Sequence, residues 1–205
     1  AVVDGDEITF IIARQRYQRG LLRGAVVGTQ MSNLGFERAV QTLGLEFKRV
    51  NVGDRYILEM LQDNDWVLGG ETSGHIICLD LTTTGDGIIS ALQVLEAVVR
   101  SGHTLSALKS GMSKFPQRLI NVQMAERQDV TSISEIREAV TAAETRLGDT
   151  GRVLLRPSGT EPLIRVMVEG QDATLVDELA ETLADVVQSA VDNSEAGGNN
   201  TGCAA

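Results

Sequence analysis

Cysteine is nearly absent from this chain. There are two, Cys78 and Cys203, too few for a disulfide framework, and a reducing, cytoplasmic setting fits that usage best. Cys78 lies in an apolar run and is read as a buried thiol, while Cys203 lies in the terminal stretch. Aromatic residues make up only 3%, which leaves the core to Leu, Ile, Val and Ala. No apolar run is long enough to span a bilayer and no signal-peptide pattern occurs, so neither a membrane partner nor export is expected. Basic residues stop at Arg165. At a net charge of −10 the chain lacks the excess of Lys and Arg that nonspecific nucleic-acid binding requires to displace counterions. A local arginine cluster can still grip a phosphate, because geometry outweighs global charge at contact range.

What is present is ordinary for a globular protein: 205 residues, 42% apolar and 22% charged. That length suits one large domain or two small ones. The sequence opens Ala1-Val2-Val3-Asp4 without Met, directly ahead of a helix-like pattern, and reads as a piece cut from a longer protein.

Up to about residue 112, apolar runs alternate with helical periods. Helices are expected over 4–19, capped by Asp4 or Asp6, over 32–43 with Ser32 as cap, and over 54–63, 85–100 and 105–112. Strands are expected over 25–28, 45–50, 67–70 and 75–79. Leu92, Leu95 and Val99 form a helical stripe read as core. This alternation argues for a layered α/β domain over 1–112. Lys114-Phe115-Pro116 is the best boundary, since Pro116 cannot extend a helix and biases Phe115 out of the helical region; a linker is placed at 113–117. The order then changes to β-α-β-β-α, with strands over 118–124, 152–156 and 163–169 and helices over 132–147 and 172–191. This suits a small α+β domain over 118–191, with helices on one face of an antiparallel-rich sheet. From Asp192 the composition turns to Asn, Gly, Ser and Ala, and 192–205 is read as a disordered tail.

The sharpest motif is Arg156-Pro157-Ser158-Gly159-Thr160-Glu161-Pro162-Leu163-Ile164-Arg165. It joins two strands but is richer than a turn needs. Arg156 and Arg165 carry planar guanidinium forks that match phosphate oxygens. Ser158 and Thr160 add hydroxyls, and Gly159 permits close backbone approach and unusual dihedrals. Pro157 and Pro162 stiffen the ends. The alternative is a rigid surface turn with two solvated arginines. A second motif is Gly69-Gly70-Glu71-Thr72-Ser73-Gly74-His75. Glu71 accepts hydrogen bonds, Ser73 donates and accepts, and His75 does either according to tautomer. A carboxylate and a hydroxyl two residues apart suit vicinal sugar hydroxyls, although a strand connection whose polar groups face water has the same composition.

Taken together and in this order, the two motifs resemble the sugar-recognition and phosphate-binding loops of the α-D-phosphohexomutase superfamily. Val52-Gly53-Asp54-Arg55-Tyr56, Thr82-Thr83-Thr84-Gly85-Asp86-Gly87 and Gly28-Thr29-Gln30-Met31-Ser32-Asn33 look like its phosphoglucosamine mutase branch. The likeness runs to about Val191. It implies a four-domain enzyme of which this chain supplies the third and fourth. The implied reaction interconverts glucosamine 6-phosphate and glucosamine 1-phosphate, feeding UDP-N-acetylglucosamine and cell-wall synthesis, by way of a phosphoserine and a bisphosphorylated sugar. The resemblance allows a homodimer for the whole protein. It assigns substrate contacts to Glu71, Ser73, His75, Arg156, Ser158, Gly159, Thr160 and Arg165, with His75 a candidate acid/base and Asp54 and Arg55 in a loop lining the cleft.

The sequence departs from that pattern in one large respect. No Ser-His-Asn-Pro type phosphoserine loop occurs, and no Asp-Gly-Asp-Gly-Asp-Arg metal loop. Val3-Asp4-Gly5-Asp6-Glu7 resembles the latter but lacks the third aspartate and the arginine. Asp4 and Asp6 are therefore read as helix-start residues, and Asp80 and Asp86 as loop and cap residues. The Mg²⁺ that the resemblance implies would be held by the preceding half, with no metal site and no complete catalytic set in these residues, so the chain alone is expected to be inactive. A phosphomannomutase or phosphoglucomutase fragment, or a non-catalytic phosphosugar-binding module, are the other readings.

Overall fold

The computed structural model describes residues 2–125, 130–159 and 161–198, and they fall into two compact units, 1–114 and 115–205.

In the first unit, α1 (Gly5–Gln18), β1 (Val26–Thr29), α2 (Leu34–Thr42), β2 (Phe47–Val50), α3 (Asp54–Asp63), β3 (Leu68–Gly70), β4 (Ile76–Cys78), α4 (Gly87–Ser101) and the short α5 (Leu105–Leu108) follow in order. The sheet order is β2-β1-β3-β4, with β1 parallel to β2 and β3, and β4 antiparallel at the edge. Adjacent residues of β1 face opposite layers, as the two-residue period of a strand demands. Val26 packs with Phe10, Phe36 and Val40 of α1 and α2, and Val27 packs with Ile57 and Leu61 of α3. Helices thus cover both faces, which makes a three-layer α/β/α unit. Cys78 is a buried free thiol, and burial raises its pKa.

Helix starts show which polar residue wins. Asp4 caps α1 in a reciprocal capping box with Glu7, and Asp86 caps α4 by accepting from the Ile88 and Ile89 N–H groups. The cap of α2 is Asn33 rather than the expected Ser32. The Asn33 side chain accepts from Gly35 N–H at 2.9 Å, while Ser32 Oγ turns back to accept from Thr29 N–H at 3.1 Å. Asp80 pairs with the buried Arg16 at 2.7 Å. The helix expected to reach 112 stops at Leu108, and Gly111 follows with a φ of 103°, a backbone geometry that no right-handed helix contains.

A further expectation is overturned. Leu92, Leu95 and Val99 are not core: they are 53%, 56% and 79% exposed, and Ile88 on the same stripe is exposed too. The face of α4 that packs inward is instead Ser90 and Ala97, with Ile89, Val94 and Val98 beside them. Ser90 and Ala97 bring α4 close to its neighbours, and Ile88, Leu92, Leu95 and Val99 point outward.

The second unit comprises β5 (Gln117–Gln123), α6 (Ser134–Leu147), a 3₁₀ turn (Gly148–Thr150), β6 (Gly151–Pro157), β7 (Leu163–Gly170) and α7 (Ala173–Gly198). Its sheet order is β5-β7-β6, antiparallel throughout. Val122, Ile164, Val166 and Val168 on one face pack against Ile136 and Ala143 of α6 and Leu179, Leu183 and Val187 of α7. Both helices therefore lie on that face. The stretch expected to be a disordered tail from Asp192 is helical as far as Gly198, continuing α7 past its last buried residue, Val191; residues 199–205 lie outside the described residues. No helix among the described residues is long and apolar enough to cross a membrane.

Candidate functional site

Three loops leave the carboxyl ends of the parallel strands β1, β2 and β3, so they emerge along one edge of the first sheet. In open α/β sheets that edge is where ligands bind. The loop after β3 holds Glu71, Thr72, Ser73, Gly74 and His75. It closes on itself: Glu71 N–H donates to the His75 carbonyl and Gly74 N–H to the Glu71 carbonyl, each at 2.9 Å. Gly74 has a φ of 97°, where a side chain would be strained. Ser73 lies exposed at the tip, and Glu71 and His75 are half-buried.

The loop after β2 meets this one. Gly53 N–H donates to Glu71 Oε1 at 3.1 Å, and His75 Nε2 lies 3.4 Å from Asp54 Oδ2. Asp54 therefore joins Glu71 and His75 in one cluster. Arg55 does not: its guanidinium stacks over the Tyr56 ring, 4.5 Å from the centroid, on the exposed side of α3. Gly85 makes room for the imidazole, since a Cβ there would come within 2.1 Å of His75 Nε2. Gly53 and Gly85 were quoted from the sequence only as parts of segments. Their contacts with Glu71 and His75 become visible once the loops are folded together.

In the second unit, the hairpin between β6 and β7 carries the arginines. Arg156 and Arg165 are direct cross-strand partners, and Asn121 on β5 is the next partner of Arg165. The three form one polar row across the sheet, on the face away from α6 and α7. Inside the hairpin, Ser158 N–H donates to the Leu163 carbonyl at 2.9 Å. Ser158 Oγ accepts from Glu161 N–H at 3.2 Å, and the residue is only 3% exposed. Ser158 thus shapes the turn from within. Gly159 is exposed, its φ is not left-handed, and a Cβ on it would meet nothing within 4 Å. Beyond its chain neighbours, the space beside the backbone is open. Glu161 lies 3.8 Å from Arg165. Thr160 lies outside the described residues.

Asp4 and Asp6 sit at the start of α1. Among the described residues no group of three or more His, Cys, Asp or Glu side chains is arranged to hold a metal ion. The carboxylate of Asp4 is engaged in capping and that of Asp6 in loop contacts.

A three-layer α/β/α unit with a polar loop cluster at its strand ends, followed by a three-stranded unit with an arginine pair on a rigid hairpin, defines the class. Residues 4–115 match the family model described as phosphoglucomutase/phosphomannomutase, alpha/beta/alpha domain III, and residues 119–186 match the C-terminal domain of the same family. The chain belongs to the phosphoglucomutase/phosphomannomutase family.

Among its relatives, the phosphoglucosamine mutase of Methylococcus capsulatus is 61% identical over 186 residues, covering 91% of this chain and 42% of that protein. The phosphoglucosamine mutase of Nitrosococcus oceani is also 61% identical, covering 91% and 41%. The chain spans about two fifths of the length of these relatives. Among solved structures, the Aspergillus fumigatus N-acetylphosphoglucosamine mutase in complex with GlcNAc-6P and magnesium superposes with a TM-score of 0.77 at 23% identity, covering 93% of this chain and 45% of that one. A phosphoglucomutase/phosphomannomutase family protein from Burkholderia thailandensis gives 0.71 at 19%, covering 93% and 42%. At such identities these two establish the fold.

Proposed function

We propose that this chain is the substrate-holding part of an enzyme that interconverts glucosamine 6-phosphate and glucosamine 1-phosphate. In this account the hairpin of Arg156 to Arg165 grips the phosphoryl group that is not reacting, and the loop of Glu71, Ser73 and His75 holds the sugar hydroxyls. The phosphoserine donor, and the Mg²⁺ that would supply charge neutralisation to phosphoryl transfer, would be held by residues outside this chain, so the chain by itself is expected not to turn substrate over.

The carrying observation is the register of Arg156 against Arg165. Like charges directly opposite one another destabilise a sheet. Two guanidinium groups a strand spacing apart, on a hairpin stiffened by Pro157 and Pro162, instead suit an anion with several oxygens. Asn121 extends the row with an amide. Phosphoryl transfer depends mainly on positioning and charge stabilisation, and a mutase must hold its sugar in two orientations. A multi-donor phosphate grip and a carboxylate that accepts from neighbouring hydroxyls serve both. Glu71 is set for this by the Gly53 N–H, which fixes Oε1 and leaves Oε2 for the ligand. The names of the relatives favour glucosamine phosphate over mannose or glucose phosphate.

The test is calorimetric titration with glucosamine 6-phosphate. Arg156→Ala and Arg165→Ala are each expected to weaken binding by roughly 1.5–3 kcal/mol, the range for a hydrogen bond to a charged group. Unchanged affinity in both variants removes the phosphate assignment.

A further inference from the structure

The first turn of α1 is built against the sugar loop. Gly5 N–H donates to the Thr72 carbonyl at 3.1 Å. A Cβ on Gly5 would come within 1.9 Å of the Glu71 carbonyl oxygen and 2.6 Å of Gly74 N, so the two segments meet backbone to backbone. Asp6 sits at the centre of this contact and is wholly buried. Its Oδ2 accepts from Asn33 N–H at 2.8 Å and from the Thr72 hydroxyl at 3.0 Å. Its Oδ1 is buried as well, and the Ser32 side chain faces the same carboxyl. The neighbouring ammonium groups are engaged elsewhere: Lys114 bonds Asp4, and Lys109 bonds Glu7.

A residue that only favours a helix start works from the surface, through the helix dipole. Asp6 is instead drawn out of water, its carboxyl pushed up to about 6 by burial, and it joins three segments far apart in sequence. Burying a carboxylate without a bonded cation is costly, and a cost of that kind is characteristic of functional sites rather than of ordinary packing.

We propose that Asp6 is a positioning residue for the phosphosugar site, pinning the Glu71–His75 loop through the Thr72 hydroxyl and tying it to the loop after β1 through Asn33 N–H. Asp6 touches no ligand. It acts by fixing the backbone on which Glu71, Ser73 and His75 are mounted. This rests on the reading of that loop as the sugar-holding element, and it specifies what keeps the loop in register.

Amide exchange without ligand tests the pin separately from that reading. Asp6→Ala and, independently, Thr72→Val are expected to speed exchange at the Glu71 and Gly74 amides by roughly tenfold, leaving the β1 amides protected. Asp6→Asn, which keeps an oxygen acceptor, is expected to preserve protection. In a parallel titration with glucosamine 6-phosphate, Asp6→Ala is expected to lose about tenfold in affinity and Asp6→Asn to recover it, which loss of packing alone would not produce. Unchanged exchange in both Asp6→Ala and Thr72→Val overturns the pin. So does loss of protection through β1 in Thr72→Val, which would make the contact a support of the whole unit. Altered loop exchange with no binding of the phosphosugar by the unmodified chain leaves the anchoring in place and overturns its role in a sugar site.

Discussion

Arg156 on β6 and Arg165 on β7 face each other as a directly opposed cross-strand pair, two positive charges where a sheet would ordinarily place opposite or apolar partners. Arg165 has Glu161 nearby, at 3.8 Å and half in solvent, too loose an arrangement to neutralise the pair. The site is therefore held at some expense to the fold, and that expense can be measured.

Replacing either arginine by glutamine should leave the second unit as stable or slightly more so, by up to about 0.5 kcal/mol at low salt, with the gain fading as salt screens the pair. Urea unfolding of Arg156→Gln and Arg165→Gln at two ionic strengths checks this. A clear loss of stability in both would mean that the arginines are structural.

Gly159 separates folding from binding. Among the described residues, none beyond its chain neighbours comes within 4 Å of the position a Cβ would take, and the backbone there is not left-handed. Gly159→Ala should therefore change stability by no more than about 0.5 kcal/mol. It should nevertheless weaken phosphosugar binding, because the methyl group stands where an oxyanion would approach the backbone. Equal affinity for the two proteins would place the ligand elsewhere.

Asp6 should give the chain a distinctive pH dependence. Burial pushes its carboxyl up from the ordinary 3.8 to about 6 in the folded protein, so the folded state binds that proton more tightly than the unfolded chain does. The group favours folding most at low pH, and its contribution is lost as pH rises from about 4 through 6, by an amount on the order of 3 kcal/mol. The charges around it are Asp4, which raises its pKa further, with Glu7 and Lys114 close by. Asp6→Asn removes this component while leaving the others. The stability difference between the variant and the unmodified chain should thus move in favour of the variant between pH 4.5 and pH 7. A difference that does not vary with pH would contradict the burial of the ionised carboxylate.

The outward stripe of α4 should be insensitive to truncation. Leu92→Ala and Val99→Ala are expected to cost under about 0.5 kcal/mol, whereas Ile57→Ala and Leu61→Ala, on fully buried positions of α3, should cost roughly 2–5 kcal/mol. Thermal melts of the four variants settle the order. A large loss at Leu92 would mean that the stripe is covered in solution.

Much of this architecture is legible from the amino acids. The limits of α3 follow directly from its period and from Gly53 ahead of it. The strand pair around the arginine hairpin is marked by two prolines and by apolar residues on one face. What escapes is whatever depends on distant partners. Ser32 and Asn33 are both good caps, and the choice falls to Asn33 because Ser32 is drawn back to Thr29. The stripe on α4 has a helical period, but a period does not say which side is inward; the small residues Ser90 and Ala97 decide that by close packing. Asp6 has the composition of a helix start, and only the arrival of Thr72 and Asn33 buries it. Within the 71–75 loop, the motif named Glu71 and His75, but the Gly53 N–H and the space at Gly85 that hold them come from other loops.

The most direct test of the phosphate grip is an NMR titration that follows the Nε–H signals of Arg156 and Arg165 while glucosamine 6-phosphate is added to millimolar concentration, with glucosamine as the matched control. The account predicts saturable shifts at both arginines with the phosphorylated sugar and none with glucosamine. Signals that stay in place with both, or that move equally with both, would contradict it.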